Sequence, residues 1–81
     1  MKELTLDGAL GMEAIHHLLR EELQFPDYYG NNLDALFDML TQVREDVQFR
    51  LVNLHGLGRR GPALQMLLQN AAEVNPHIRI L

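Results

Sequence analysis

The chain has 81 residues, no cysteine and a formal net charge of −4 at pH 7. This length predicts one domain, residues 1–81, with a single small core. The lack of cysteine excludes disulfides, thiolate metal ligands and a cysteine nucleophile. The sequence has neither an apolar signal segment at its start nor the run of about 20 apolar residues that spans a bilayer. We therefore expect a cytoplasmic protein that makes no membrane contact.

The charge is unevenly distributed along the chain. Residues 21–46 carry seven acids and one base, a net −6, whereas residues 1–20 carry −1 and residues 47–81 carry +3. An acidic middle segment favours basic partners and repels nucleic acid, because phosphates are bound by basic surface. We therefore expect a basic protein partner and no direct contact with nucleic acid.

The first predicted elements are a strand and an amphipathic helix. Residues 2–6 alternate polar and apolar side chains and end at the turn pair Asp7-Gly8, a pattern typical of a short strand. Residues 12–23 repeat apolar side chains at helical spacing, which predicts a helix packed on the core. The apolar residues that share this face are Met12, Ile15, Leu18, Leu19 and Leu23.

Residues 25–40 join a loop to a short helix. Pro26-Asp27 and Gly30-Asn31-Asn32 are turn-forming, and Asn32 is well suited to cap the helix that follows. We expect Tyr29 to pack into the core beside Phe25 and Tyr28 to face solvent. The apolar face of the helix consists of Leu33, Leu36, Phe37 and Leu40.

The same helix carries two acids that have no basic neighbour. Asp34 and Asp38 are four residues apart, and Thr41 lies beside them when the helix is viewed along its axis. No Lys or Arg lies three or four positions from either acid. Like charges at this spacing cost about 0.2–0.5 kcal/mol. Phe37 falls at the border between the apolar and acidic faces. The pattern fits a solvated helix face, and it also fits a surface that meets a cationic partner.

The remaining residues predict a strand, a helix and a strand. Residues 48–54 are apolar on both faces, which suits the middle of a parallel sheet, and residues 55–58 predict a loop. Gly61-Pro62 begins the last helix, Asn75-Pro76 ends it, and residues 78–81 form the final strand. The helix buries Leu64, Leu67, Leu68 and Ala71. This order predicts an α/β fold with a three-stranded parallel sheet packed against a layer of helices.

Other candidate sites are weaker. A less favoured alternative is a small hydrolase that uses Asp34 and Asp38 as acid and base, but one surface helix supplies neither a cleft nor a raised pKa. The four histidines form no ligand set, so we expect surface or boundary positions for them, no metal and no cofactor. These residues are His16, His17, His55 and His77. Arg59-Arg60 is expected to be solvated.

The run from Pro26 to Asp38, PDYYGNNLDALFD, resembles the signature of the barstar family, the intracellular inhibitors of barnase-type ribonucleases. The resemblance implies a barstar-like bacterial antitoxin or immunity protein, monomeric and not an enzyme, that blocks a basic ribonuclease. It implies that a carboxylate on the short helix mimics the RNA phosphate. The partner-binding residues that it implies are Tyr28, Gly30, Asn32, Asp34, Phe37, Asp38 and Thr41.

The chain departs from the family pattern at three places. Phe37 stands where the family usually has tryptophan, and Gln42-Val43 replaces a Gly-Trp pair. The last helix offers Asn70, Ala71 and Ala72 where the family places acids. Fewer ion pairs are therefore expected at the edge of the contact. The alternative function is a barstar-fold module that binds a different basic protein.

Overall fold

Three parallel strands form one sheet, with three helices packed against it, as the sequence predicts. The computed structural model describes all residues, 1–81. The elements in chain order are β1 (Lys2–Asp7), α1 (Met12–Glu22), α2 (Leu33–Leu40), β2 (Val47–Val52), α3 (Arg60–Val74) and β3 (Ile78–Ile80). None of the three helices combines the length and the apolar composition that a membrane-spanning helix needs.

The sheet has the strand order β1-β2-β3, so β2 is central. Leu4 pairs with Phe49 between β1 and β2, and Val47 pairs with Ile78 between β2 and β3. Helices connect the strands because parallel neighbours need a crossover that returns the chain to the same edge. The predicted α/β class and the predicted central position of the second strand in a parallel sheet are confirmed.

Each helix contributes a pair of completely buried side chains four residues apart. These pairs are Ile15 and Leu19 of α1, Leu36 and Leu40 of α2, and Leu64 and Leu68 of α3. They pack with Leu6, Val47 and Phe49 of the sheet in one core. The spacing predicts these pairs correctly because residues four apart lie above one another on a helix. Leu67 of α3, which the spacing also predicts to be buried, is only half-buried.

The prediction that both faces of the central strand are covered is wrong. Val47 and Phe49 are buried, but Arg50 on the opposite face is exposed and Gln48 is only half-buried. Three helices supply one layer, and that layer covers one face of the sheet. The apolar residues that suggested two covered faces, Leu51 and Val52, lie half-buried at the end of the strand.

The turns that follow β1 and β2 pack backbone against backbone. A Cβ on Gly8 would lie 2.2 Å from the carbonyl oxygen of Asn53, and one on Gly61 would lie 2.5 Å from that of Leu54. The Asp7 carboxylate accepts hydrogen bonds from Ala9 N at 2.9 Å and Asn53 Nδ2 at 3.0 Å, which lower its pKa. Residues 54–57 form a 3₁₀ turn, so the predicted strand 48–54 ends earlier, at Val52, and most of the predicted loop 55–58 is a regular turn.

Buried Asn75 joins the ends of α2 and α3. Its Nδ2 donates to the carbonyl oxygens of Leu40 at 2.8 Å and Val43 at 2.9 Å, and its Oδ1 accepts from His77 N at 3.0 Å. The last carbonyl groups of a helix have no partner within the helix. Asn75 therefore ends α3, as predicted, and also satisfies the carboxyl end of α2.

Candidate functional site

The loop between α1 and α2 is held to the core by two aromatic rings. Phe25 and Tyr29 are buried, and their ring centroids lie 4.9 Å apart in an edge-on arrangement. Tyr29 N donates to the carbonyl oxygen of Pro26 at 3.0 Å, which closes the turn. Tyr28 is 80% exposed. The predicted division, with Tyr29 inward and Tyr28 outward, is confirmed.

His16 of α1 is hydrogen-bonded to this loop through Tyr29. Its Nδ1 and the Tyr29 hydroxyl share a hydrogen bond of 2.5 Å, and the His16 side chain is buried. Burial, aided by the positive charge of Arg60, lowers the pKa of His16, and burial raises the pKa of Tyr29 to about 12. Both groups are therefore neutral near pH 7.

The expectation that all four histidines lie at the surface or boundary is wrong for His16. His16 is four residues after Met12 and three before Leu19, so the helical spacing already placed it on the buried face of α1. A histidine on such a face needs a polar partner, and Tyr29 supplies it from a distant part of the chain. The adjacent His17 is exposed.

Asn32 begins α2 and shapes the residues before it. Its Oδ1 accepts from Ala35 N at 2.8 Å, so the predicted N-cap is confirmed. Its Nδ2 donates to the carbonyl oxygen of Gly30 at 3.3 Å. Asn31 adopts a left-handed conformation with φ of 50°, which asparagine tolerates better than most residues. The exposed backbone of Gly30 is thus fixed by its neighbours.

The two carboxylates of α2 face solvent and have no partner in the protein. Asp34 and Asp38 are exposed, and neither takes part in any of the four ion pairs. The backbone carbonyl oxygen of Asp38, not its carboxylate, accepts from Thr41 Oγ1 at 2.7 Å and from Gln42 Nε2 at 3.3 Å. Both carboxylates keep their full hydrogen-bonding capacity for another molecule.

An open groove runs between α2 and α3. Asp34, Asp38 and half-buried Phe37 line the α2 side, which confirms the predicted border position of Phe37. The α3 side presents apolar residues and the amide of Asn70. The complete lining is Leu33, Asp34, Phe37, Asp38, Ala63, Met66, Leu67 and Asn70.

The predicted partner-binding residues divide into neighbouring groups on one segment. Asp34, Phe37 and Asp38 share the groove, whereas Asn32 lines a separate depression above His16. Thr41 lies at the end of α2 and lines a third depression. Tyr28 and Gly30 are exposed on the loop. No three or more His, Asp or Glu side chains are grouped closely enough to hold a metal ion.

Comparison with known proteins relates most of the chain to one family. The family model described as "Barstar (barnase inhibitor)" matches residues 1–75. A Bacillus subtilis (strain 168) protein named "Putative ribonuclease inhibitor YrdF" is 49% identical over 43 residues, which cover 51% of this chain and 47% of that protein. The aligned part thus spans about half the length of this relative. Because the family model matches residues 1–75, which include all three helices and the strands β1 and β2, the chain belongs to the barstar family.

Proposed function

We propose that this protein inhibits a basic ribonuclease by placing the Asp38 carboxylate where the enzyme binds the RNA phosphate. The family description and the name of the relative support a ribonuclease partner. The observation that carries the mechanism is an exposed mid-helix carboxylate without any partner in its own chain. Such a group loses no intramolecular contact when it binds.

The chemistry is that of an anion entering a cationic pocket. A ribonuclease gathers Arg, Lys and His around the scissile phosphate, and Asp38 forms charge-assisted hydrogen bonds with their N–H groups. Asp34 adds a second negative charge one turn earlier. The Thr41 hydroxyl already donates its hydrogen to the backbone, so it contributes as an acceptor. All three lie on α2 or at its end, and the core holds that helix through Leu36 and Leu40.

The loop before α2 covers the catalytic histidine of the enzyme. Tyr28 contributes a large, exposed ring with a polar tip, which is a side-chain type common in protein interfaces. Gly30 allows the partner to approach the backbone closely. Tyr29 and Asn32 hold the loop in shape before binding, so less conformational entropy is lost on association.

This function makes the protein a non-enzymatic inhibitor that needs no cofactor. It acts as a monomer in the cytoplasm of a bacterium that produces the ribonuclease, as an antitoxin or immunity protein. The acidic segment of residues 21–46, a net −6, attracts the basic enzyme and disfavours RNA itself.

The test is inhibition of a panel of barnase-type ribonucleases, barnase included, by the parent chain and by Asp38→Ala. We expect the parent to inhibit at least one enzyme and the variant to raise its inhibition constant about 30-fold or more, because the enzyme's cations stay buried without a counter-charge. Thermal unfolding should show that the variant is folded. Equal inhibition by both proteins would exclude Asp38 as the anchor.

One observation favours a second candidate function. The α3 side of the groove carries no charge, and residues 70–72 of α3 hold none of the acids that the family resemblance implies for that stretch. This difference fits a barstar-fold module that binds a basic protein other than a barnase-type ribonuclease. Capture of a basic protein without ribonuclease activity, together with no inhibition across the panel, would select this alternative.

A further inference from the structure

The exposed side of α3 lacks charge over an unusual length. Residues 61–72 contain no Asp, Glu, Lys or Arg. Met66, in the middle of this stretch, is 64% exposed, and Ala63 and Asn70 beside it are also exposed. Solvated helix faces are ordinarily rich in charge. Depletion of charge with an exposed methionine is instead the composition of the centre of a protein interface.

This neutral surface is one wall of the groove whose other wall carries the proposed anchor. Asp34 and Asp38 line the groove from α2, and Met66 and Leu67 line it from α3. A protein that encloses the Asp38 carboxylate must therefore also cover the α3 wall. The occupant of the groove is the same basic partner and not an additional one.

The two walls differ in charge, and this difference selects what the partner presents to each. The carboxylates of the α2 wall match cations. A cation that contacts Met66 and Leu67 would lose its hydrating water. The amide of Asn70 is the only polar side chain of the α3 wall that would replace this water. An apolar side chain loses no hydrogen bonds when it contacts the α3 wall, and the flexible methionine side chain adapts its shape to the group that it contacts.

We propose that the groove between α2 and α3 receives an apolar side chain of the partner that binds Asp38. Contact with Met66 on the α3 wall then provides recognition that does not depend on ion pairs. The inference rests on the proposed function and deepens it. The partner therefore carries an exposed apolar residue beside its cationic pocket, on the side that faces α3.

The test compares Met66→Ala with Leu10→Ala. Leu10 lies in the turn after β1, is 69% exposed and lines neither the groove nor the depressions that contain Asn32 and Thr41, so it is a control with a similarly exposed apolar side chain and the same replacement. The probe is the panel ribonuclease that the parent chain inhibits most tightly. We expect Met66→Ala to raise the inhibition constant about fivefold or more through faster dissociation, and Leu10→Ala to leave it unchanged.

The dependence of inhibition on ionic strength distinguishes the apolar contact of Met66 from the ionic contacts of α2. The effect of Met66→Ala should be the same at low and high ionic strength, whereas that of Asp34→Ala should shrink as salt screens the charge. Met66→Glu should weaken inhibition further, because it places an unpaired charge against an apolar group. Tighter inhibition by Met66→Glu would show a cation opposite α3 and overturn the inference.

The outcomes distinguish the two proposals. If Asp38→Ala loses inhibition while Met66→Ala behaves like Leu10→Ala, the groove is not used and the proposed function stands. If Asp38→Ala inhibits as well as the parent, the proposed function fails. If the chain inhibits no ribonuclease of the panel, both are overturned. Thermal unfolding of each variant confirms that a loss of inhibition is not a loss of fold.

Discussion

Adjacent tyrosines in the loop have opposite environments, and this difference determines the shape of the loop. Tyr29 is buried between Phe25 and His16, whereas Tyr28 is 80% exposed. The ring of Tyr29 and its hydrogen bond hold the backbone from Pro26 to Gly30. Tyr28 is thereby presented to solvent from a fixed backbone, as a contact residue requires.

The His16–Tyr29 pair predicts a pH dependence of stability. The pKa of His16 is lowered from its ordinary value of 6.5, so the unfolded chain takes up this proton more readily than the folded one. The contribution of His16 is complete above pH 6.5 and is lost as the pH falls toward the lowered value. We expect the free energy of unfolding, measured with urea, to decrease below about pH 6.5.

The neighbouring histidine provides the control for this prediction. His16→Gln should remove the decrease that begins near pH 6.5, whereas His17→Gln should retain it, since His17 is exposed. A decrease that persists in His16→Gln would assign the titration to another group.

At the scale of elements, α2 is a short helix that depends on contacts at both ends. It has eight residues, a length at which an isolated helix is marginal in water. Asn32 caps its first turn, and Asn75 Nδ2 donates a hydrogen bond to the carbonyl oxygen of Leu40 in its last turn. These contacts, with buried Leu36 and Leu40, hold the carboxylates of Asp34 and Asp38 in place.

The close packing of the turns after β1 and β2 predicts a large cost for a small substitution. Gly8→Ala would place a Cβ 2.2 Å from the Asn53 carbonyl oxygen, and backbone must move to relieve the contact. We expect the free energy of unfolding to fall by about 1–3 kcal/mol, as measured by urea denaturation.

Gly30→Ala is the matched control for Gly8→Ala. Its Cβ would meet the end of the Asn32 side chain at 2.9 Å, and a side chain can shift more easily than backbone. We expect a smaller loss of stability, below about 1 kcal/mol. A larger loss for Gly30→Ala than for Gly8→Ala would contradict the packing argument.

On the scale of the whole molecule, the acidic segment and the open face of the sheet differ in charge. Residues 21–46 carry −6, whereas residues 47–81 carry +3 and place exposed Arg50 and Arg79 on the strands. A basic partner is therefore drawn toward the side that bears α2. We expect the association rate with the inhibited ribonuclease to fall about tenfold or more between low salt and 0.5 M salt, measured by stopped flow.

Two variants that each remove one acid test the direction of this attraction. Asp34→Asn removes a charge from α2 and should flatten the salt dependence of the association rate. Glu3→Gln removes a charge from β1, where Glu3 already pairs with Arg50 at 3.5 Å, and should change the salt dependence of the association rate little. An association rate that does not vary with salt would contradict electrostatic steering.

Local signals in the sequence were sufficient for the elements and for the exposed acids. The spacing of Leu36 and Leu40, the cap at Asn32 and the stop at Asn75 are all properties of residues within a turn or two of one another. The exposure of Asp34 and Asp38 follows from the same spacing, because a helix that buries one face exposes the other. The three-stranded sheet follows from the order of the elements.

The tertiary structure alone decided which distant groups meet. The hydrogen bond of His16 with Tyr29 and the backbone contact of Gly8 with Asn53 join residues that are far apart in the chain. Local spacing does not specify such pairs, and for the same reason it did not reveal the open face of the sheet. The groove between Asp38 and Met66 likewise exists only because α2 and α3 pack side by side, an arrangement set by the shared core.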